Sequence, residues 1–322
     1  MSKLTSVAFS GYYLGEKGNN ETVFGRNVVA VELPANFMKH LSADEICFSY
    51  IKDNYQYHMI RRLYNKIARN HPIQADLKLI NRIDMLQKNV RIESDIIHDC
   101  VEDFFHTAFL RDKYSTKYPP ISITVHCASQ PDLITSNIIP CMLSGLMPYD
   151  TIFCSSRAVK NVLSGQFDNF TMQMKELYGI TLKRRFRLDI VPLGIDDDNF
   201  NRIEKDKAKS ELGIPVNSFV ILFFGRVSAF FKSDLMPLLR VVKNLVDRNP
   251  DKNIQLVIAG TENKDLHDYK YIKRFIGKLN LLNNTIIYET FDFQKRNILF
   301  SGANVFTSPT DNVQETFLIP PN

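Results

Sequence analysis

No apolar run in this chain approaches the ~18–20 residues of a membrane-spanning helix. The longest conspicuous one, Phe219–Phe224, is the size of a strand. The amino terminus, MSKLTSVAFSGYY, lacks the apolar core and cleavage signature of a secretory leader. Cysteine is sparse. Cys47, Cys100, Cys127, Cys141 and Cys154 are odd in number and show no CxxC spacing. That argues against a disulfide framework or a zinc site and for reduced, mostly buried thiols in a cytoplasmic protein. Glycine and proline are few, and neither internal repeats nor low-complexity tracts occur. Charge of one sign is not in large excess: 40 basic against 35 acidic residues leave a formal +5. A balance this mild suits anionic small ligands or an anionic membrane face, and does not indicate nucleic acid.

What is present is a soluble globular composition, 44% hydrophobic and 23% charged over 322 residues, enough for two domains with a core each. A charged segment, Asn201–Val216, ends in the Leu212-Gly213-Ile214-Pro215 stop and marks the boundary. The expected division is a domain over 1–192, a linker over 193–216 and a second domain over 217–322. In the first half, Leu4–Phe9, Glu45–Ile51, Ile121–His126, Thr151–Cys154 and Arg187–Pro192 read as strands. Val28–Leu41, Tyr55–Asn70, Val101–Arg111, Ile138–Leu146 and Arg157–Gly165 read as helices, the last capped by Ser155-Ser156. The phenylalanines of Val101–Arg111 are expected in the core. Leu77–Ile80, Arg91–Ile92 and Ile96–Ile97 are too short to assign.

The second half alternates more cleanly. Strands are expected at Phe219–Phe224, Ile254–Ala259, Thr285–Tyr288 and Ala303–Thr307, with helical patterns between them. Such alternation implies a parallel sheet with right-handed crossovers, and ligands of such a sheet sit at the carboxyl ends of its strands. Gly225-Arg226 and Lys232 lie in the first of these loops, where two cations can converge on a phosphate. Beyond the fourth strand, Ser308-Pro309 and the polar loop Thr310–Gln314 lead to a lone carboxylate, Glu315. In the first half, His126 ends a strand and faces the same kind of edge, where it can orient a hydroxyl or move a proton. The Gly/Asn-rich loop Ser10–Gly25 is long enough to be functional. A Cys–His pair from Cys127 or Cys154, and a metal site on Asp196-Asp197-Asp198, find no support in spacing. The basic runs at Arg61–Arg69 and Lys183–Arg187 read as solvated faces, with a phosphate contact at the first or peripheral contact with a membrane as the alternative.

The segments FFGRVSAFFKSDLMPLLR, IQLVIAGT and ANVFTSPTDNVQETF together resemble the nucleotide-sugar-binding domain of family 4 glycosyltransferases of the GT-B fold, and PLGIDDDNF resembles the segment by which those enzymes leave their first domain. The resemblance is strong over about 190–317 and loose before that. It implies an α/β, GT-B-like chain of two Rossmann-like domains with parallel sheets. It also implies sugar transfer with retained configuration from a nucleotide-diphosphate sugar, UDP- or GDP-linked, without a metal or other cofactor. The acceptor would be a glycan, lipid or protein. Arg226 and Lys232, with Gly225, Thr310 and Asp311, match the donor-binding side. Glu315 matches the first Glu of an E-x7-E motif beside the donor sugar, and His126 the acceptor side. Two departures stand out. Leu318 occupies a usual Gly position, and the second Glu would fall one position past Asn322. The second domain is therefore expected to be incomplete. The alternative is a truncated, inactive or partner-dependent relative serving as a binding module, with a partner chain completing the domain.

Overall fold

The computed structural model describes residues 4–10, 25–50, 54–88, 90–91, 93–99, 104–125, 128, 134–194, 201–229, 232–261, 268–289 and 295–309. The chain divides into two compact units, Met1–Leu193 and Gly194–Asn322. In the first, strands β1 (Leu4–Ser10), β2 (Ala43–Tyr50), β3 (Asp76–Asn81), β4 (Ile96–Asp99), β5 (Ile121–Val125), β6 (Thr151–Cys154) and β7 (Arg187–Ile190) form one sheet. Its order is β3-β2-β1-β4-β5-β6-β7 and every pairing is parallel. Helices α1 (Gly25–His40), α2 (Asn54–Asn70), α3 (Arg82–Lys88), α4 (Phe104–Tyr114) and α5 (Arg157–Tyr178) lie between the strands. One cluster, built on Ile97, Ile121, Ile123, Ile152, Leu163 and Phe167, packs beneath β4–β7. Another, Met38, Ile46, Phe48, Ile60 and Ile67, joins α1 and α2 to β2.

Several elements depart from the sequence pattern for visible reasons. Helix α5 runs well past Gly165 to Tyr178, and Val159, Leu163 and Phe167 form one buried stripe that carries it across Gly165. Ser156 caps its start by accepting the Val159 N–H, and Gly179 ends it at φ 68. The stretch expected to be one helix from Ile138 is instead a π turn, Ile134–Ile138, followed by a 3-10 turn, Ile139–Leu143. Pro140 supplies no N–H and its ring crowds the preceding turn, so an α-helical ladder cannot pass through it. On α4 the buried face is Thr107, Ala108, Arg111 and Tyr114. Phe105 and Phe109 are exposed, contrary to the core role expected of them. The inward side of that helix is occupied by a polar network instead.

That network centres on Arg111, whose side chain is fully buried. Its Nη1 donates to both Asp150 oxygens at 2.8 Å and to the Pro119 carbonyl at 3.2 Å, and Nη2 donates to the Gly145 carbonyl at 2.6 Å. Asp150 also accepts the Ile121 N–H at 2.8 Å and the Met147 N–H at 2.7 Å. Its own carbonyl receives the Arg187 N–H at 2.9 Å. One residue thus holds the starts of β5, β6 and β7.

The second unit carries a sheet of order β10-β9-β8-β11, again all parallel: β8 (Phe219–Phe224), β9 (Ile254–Ala259), β10 (Thr285–Tyr288) and β11 (Val305–Thr307). Helices α6 (Lys205–Glu211), α7 (Met236–Arg248), α8 (Asp268–Lys278) and α9 (Arg296–Gly302) accompany it. All six residues of β9 are buried, as in a strand covered on both faces. Leu239 and Val242 of α7 and Tyr269, Ile272 and Ile276 of α8 cover one side; Leu299 of α9 and Ile214 cover the other. Residues 203–216, read from sequence as linker, are built into this unit. Ile203 N–H donates to Ser301 Oγ at 3.0 Å, and buried Lys209 donates from Nζ to the carbonyls of Val216 (3.0 Å) and Ser218 (2.8 Å). No helix among the described residues is long and apolar enough to cross a membrane.

Replacing Asp150 by alanine strands the Arg111 charge in the core. A loss of about 3–5 kcal/mol is expected for the first unit, measured as a lowered midpoint of urea unfolding with the second unit's transition unmoved.

Candidate functional site

The carboxyl edge of the second sheet is shaped by two glycines. Gly225, just past β8, sits at φ 157 and donates its N–H to the Ala259 carbonyl at 3.0 Å. Gly260, just past β9, lies so close that a Cβ on it would fall 1.7 Å from the Gly225 carbonyl oxygen. No side chain fits there. Backbone pairing then continues beyond the strands: Val227 N–H reaches the Thr261 carbonyl at 2.8 Å, and Gly260 N–H the Tyr288 carbonyl at 3.1 Å. Buried Tyr269, at the start of α8, donates its hydroxyl to the Gly260 carbonyl at 3.0 Å, with the Tyr288 carbonyl 3.4 Å away. The phenol therefore ties the ends of β9 and β10 to α8.

From this root the chain loops out and returns. Ser228 and Ser233, both buried, form an antiparallel bridge, and the N–H groups of Lys232 and Ser233 both reach the Ser228 carbonyl at 3.0 Å. Ala229 N–H donates to Asp268 Oδ1 at 3.3 Å, fixing the outer side of the loop to α8. Asp234 accepts the Met236 N–H at 2.9 Å and starts α7. Arg226 and Lys232 are both half-buried and flank the bridge, Arg226 on the outgoing limb and Lys232 on the returning one. The fold thus brings the two sequence-predicted cations to the base of one braced loop, beyond the carboxyl end of β8. Chemically such a loop can hold a diphosphate: the guanidinium forks onto two oxygens, and the ammonium acts as a point charge.

The remaining predicted site residues, His126, Thr310, Asp311 and Glu315, lie outside the described residues, as do Cys127, residues 11–24 and Asp196-Asp197-Asp198. Among the described residues, no three His, Cys, Asp or Glu side chains are grouped to hold a metal ion. The described cysteines are not built as nucleophiles. Burial pushes the thiol of Cys47 up to about 12 and that of Cys154 up to about 11, and raises Cys141 as well.

The first sheet also has a polar edge that pattern reading missed. Its strand order reverses between β1 and β4, and a ligand crevice opens at such a point. Ser10 of β1 and Asp99 of β4 are in register there, with Ser49 of β2 beside Ser10. Asp99 is fully buried and accepts from Thr107 Oγ1 at 2.7 Å, while Arg82 Nε donates to Ser49 Oγ at 3.4 Å. Next to Asp99, buried His98 has Nδ1 2.8 Å from Ser122 Oγ and Nε2 3.4 Å from Thr124 Oγ1. The signal for this edge was the His-Asp pair ending Ile96-Ile97, a run too short to be recognised as a strand.

No protein-family model matches the chain. It is 25% identical over 146 residues to a D-inositol 3-phosphate glycosyltransferase of Catenulispora acidiphila, a match covering 44% of this chain and 33% of that enzyme. It is 32% identical over 77 residues to the enzyme of that name in Corynebacterium glutamicum, covering 23% of this chain and 18% of that one. The matches thus span a third or less of these curated relatives, which are glycosyltransferases. Among solved structures, Anabaena Alr3699/HepE in complex with UDP and glucose superposes with a TM-score of 0.58 at 12% identity, over 94% of this chain and 74% of that one. Sucrose-phosphate synthase of Thermosynechococcus elongatus superposes with a TM-score of 0.56 at 11% identity, over 95% and 75%. The α/β, GT-B-like fold class expected from the sequence is borne out.

The two-glycine contact predicts opposite signs at two sites. Gly260→Ala should destabilise the second unit by about 1–3 kcal/mol. Gly277→Ala, in α8 with open space around its Cβ position, should stabilise it by about 0.5–1 kcal/mol; chemical denaturation of each variant reads both. In thiol labelling of the native protein at neutral pH, Cys47, Cys141 and Cys154 should stay unmodified and become reactive only on unfolding.

Proposed function

We propose that this chain transfers a sugar from a nucleoside-diphosphate sugar to an acceptor, with the donor diphosphate held by Arg226 and Lys232. The observation that carries the reading is the braced loop: two half-buried cations flank a buried serine bridge at the carboxyl edge of a parallel sheet. As the sugar leaves, negative charge grows on the diphosphate oxygen. Donors already fixed in place stabilise that charge without reorganising. A UDP-linked donor is favoured, because HepE, similar to this chain in fold, was solved in complex with UDP and glucose.

The finer reading follows the sequence resemblance to family 4 enzymes. Transfer proceeds with retained configuration, Glu315 lies beside the donor sugar with Thr310 and Asp311 near it, and His126 attends the acceptor.

Calorimetric titration of the folded chain with UDP and with GDP tests the proposal. UDP binding is expected, weakened roughly 10- to 100-fold in Arg226→Ala, the range for a lost charge-assisted hydrogen bond, and to a similar degree in Lys232→Ala. A folded sample that binds neither nucleotide would overturn it, and tighter binding of GDP would reassign the nucleotide.

A further inference from the structure

The end of α5 carries a surface that the packing of the first unit leaves uncovered. Met172, Leu177, Tyr178 and Ile180 are exposed to 53%, 72%, 68% and 46%. The same stretch is basic: Lys175, Lys183, Arg184, Arg185 and Arg187 are exposed, against the carboxylate of Glu176. Arg187 has Asp189 within 3.5 Å, so four cations remain to set the local charge.

This corner is firmly built. The Gly179 N–H reaches the Lys175 carbonyl at 3.0 Å and the Ile180 N–H reaches the Met174 carbonyl at 3.2 Å, closing the helix end. On the far side of the connection, buried Phe186 packs edge-on against Phe167 with ring centroids 5.4 Å apart. Structure fixed on both sides therefore holds Leu177, Tyr178 and Ile180 in water. Single surface hydrophobics need no explanation; several gathered among cations mark a contact surface.

We propose that this corner between α5 and β7 docks on an anionic lipid surface. Charge complementarity selects the occupant. The cations draw in anionic headgroups, and Leu177, Tyr178 and Ile180 supply the shallow apolar insertion, tyrosine being suited to the headgroup level. The other basic face of this unit, on α2, has Tyr55 as its one exposed large hydrophobic among the described residues, at the start of the helix. Ile60 and Ile67 are buried there, and Arg61 is engaged with Tyr57, whose hydroxyl accepts from it at 2.8 Å. The corner also stands at a useful place. Helix α5 runs from the carboxyl end of β6 to the amino end of β7, so docking there leaves the ligand-facing edge of the sheet open. The proposal does not depend on the sugar-transfer reading.

Flotation of the full chain with vesicles of neutral phosphatidylcholine, and of phosphatidylcholine mixed with anionic phosphatidylglycerol, provides the test. Binding is expected on the anionic vesicles alone and should fall as salt is raised. Lys183→Glu/Arg184→Glu/Arg185→Glu and, separately, Leu177→Ser/Tyr178→Ser/Ile180→Ser should each reduce it about tenfold or more, in the range expected from removing several headgroup contacts. Arg61→Glu/Arg62→Glu should leave it unchanged. These positions are exposed, and a thermal melt confirms that each variant folds. Absence of binding to anionic vesicles, or binding that survives both corner variants, overturns the proposal. So does a corner variant that instead abolishes self-association in sedimentation, since the occupant would then be a second copy.

Discussion

The buried pair of Arg111 and Asp150 is the interaction on which the register of the first sheet depends. Parallel strands have no tight hairpins to index them; each enters after a long crossover, and a slip of one residue would turn every side chain to the wrong face. Asp150 removes that freedom by taking the N–H that opens β5, standing immediately before β6 and receiving the N–H that opens β7. A carboxylate so placed needs a counter-charge, and Arg111 reaches it from α4, with further donors on two carbonyls and its Nε 3.5 Å from Asp112 Oδ1. Even the neighbouring Gly145 is set by this cluster, because a Cβ there would fall 1.8 Å from Asp112 Oδ2. Apolar replacements can match such a pair for stability, so its contribution lies in specifying one pairing.

The second sheet meets the same constraint at its opposite edge and by opposite means. Where the first unit fixes strand starts with a buried charge, this one fixes strand ends by bare backbone contact between Gly225 and Gly260, reinforced by the Tyr269 phenol. That choice suits an edge that must present donors. A charge pair there would satisfy itself, whereas a backbone contact leaves Arg226 and Lys232 flanking a rigid bridge. Strand pairing thus sets where the chain bearing the two cations leaves the sheet.

Legibility in the sequence followed burial. Phe219–Phe224 and Ile254–Ala259 were plain because strands covered on both faces are near-continuous apolar runs, broken here only by Gln255. Strand β4 was not, although it is central: it has four residues and ends in His98-Asp99, whose partners Ser122, Thr124 and Thr107 lie on other elements. Likewise, Phe105 and Phe109 look like core until Arg111 is seen to occupy the inside of α4. Lys209 looks like a surface residue of a linker until its ammonium is seen to hold two carbonyls. In each case a polar contact to another element or loop overrode a local pattern. At the candidate site, the residue types and spacing of Gly225, Arg226 and Lys232 were readable. The Ser228–Ser233 bridge was not, having no hairpin signal in its residues, and the Gly260 contact and Tyr269 were not, since they arise only when β8, β9 and β10 lie side by side.

Strand direction thus gives each unit two unlike edges, and the unlikeness has chemical content. At carboxyl ends the strands run out into polar residues, as at Arg226 in one unit and Asp99 in the other. At amino ends the incoming connections carry the fixings, as at Asp150 and at the Phe167–Phe186 contact behind the exposed corner of α5. A surface on the amino edge can therefore engage a large, charged partner without competing for the groups that face a small ligand. In a parallel sheet that separation needs no added domain; it follows from all the strands pointing the same way.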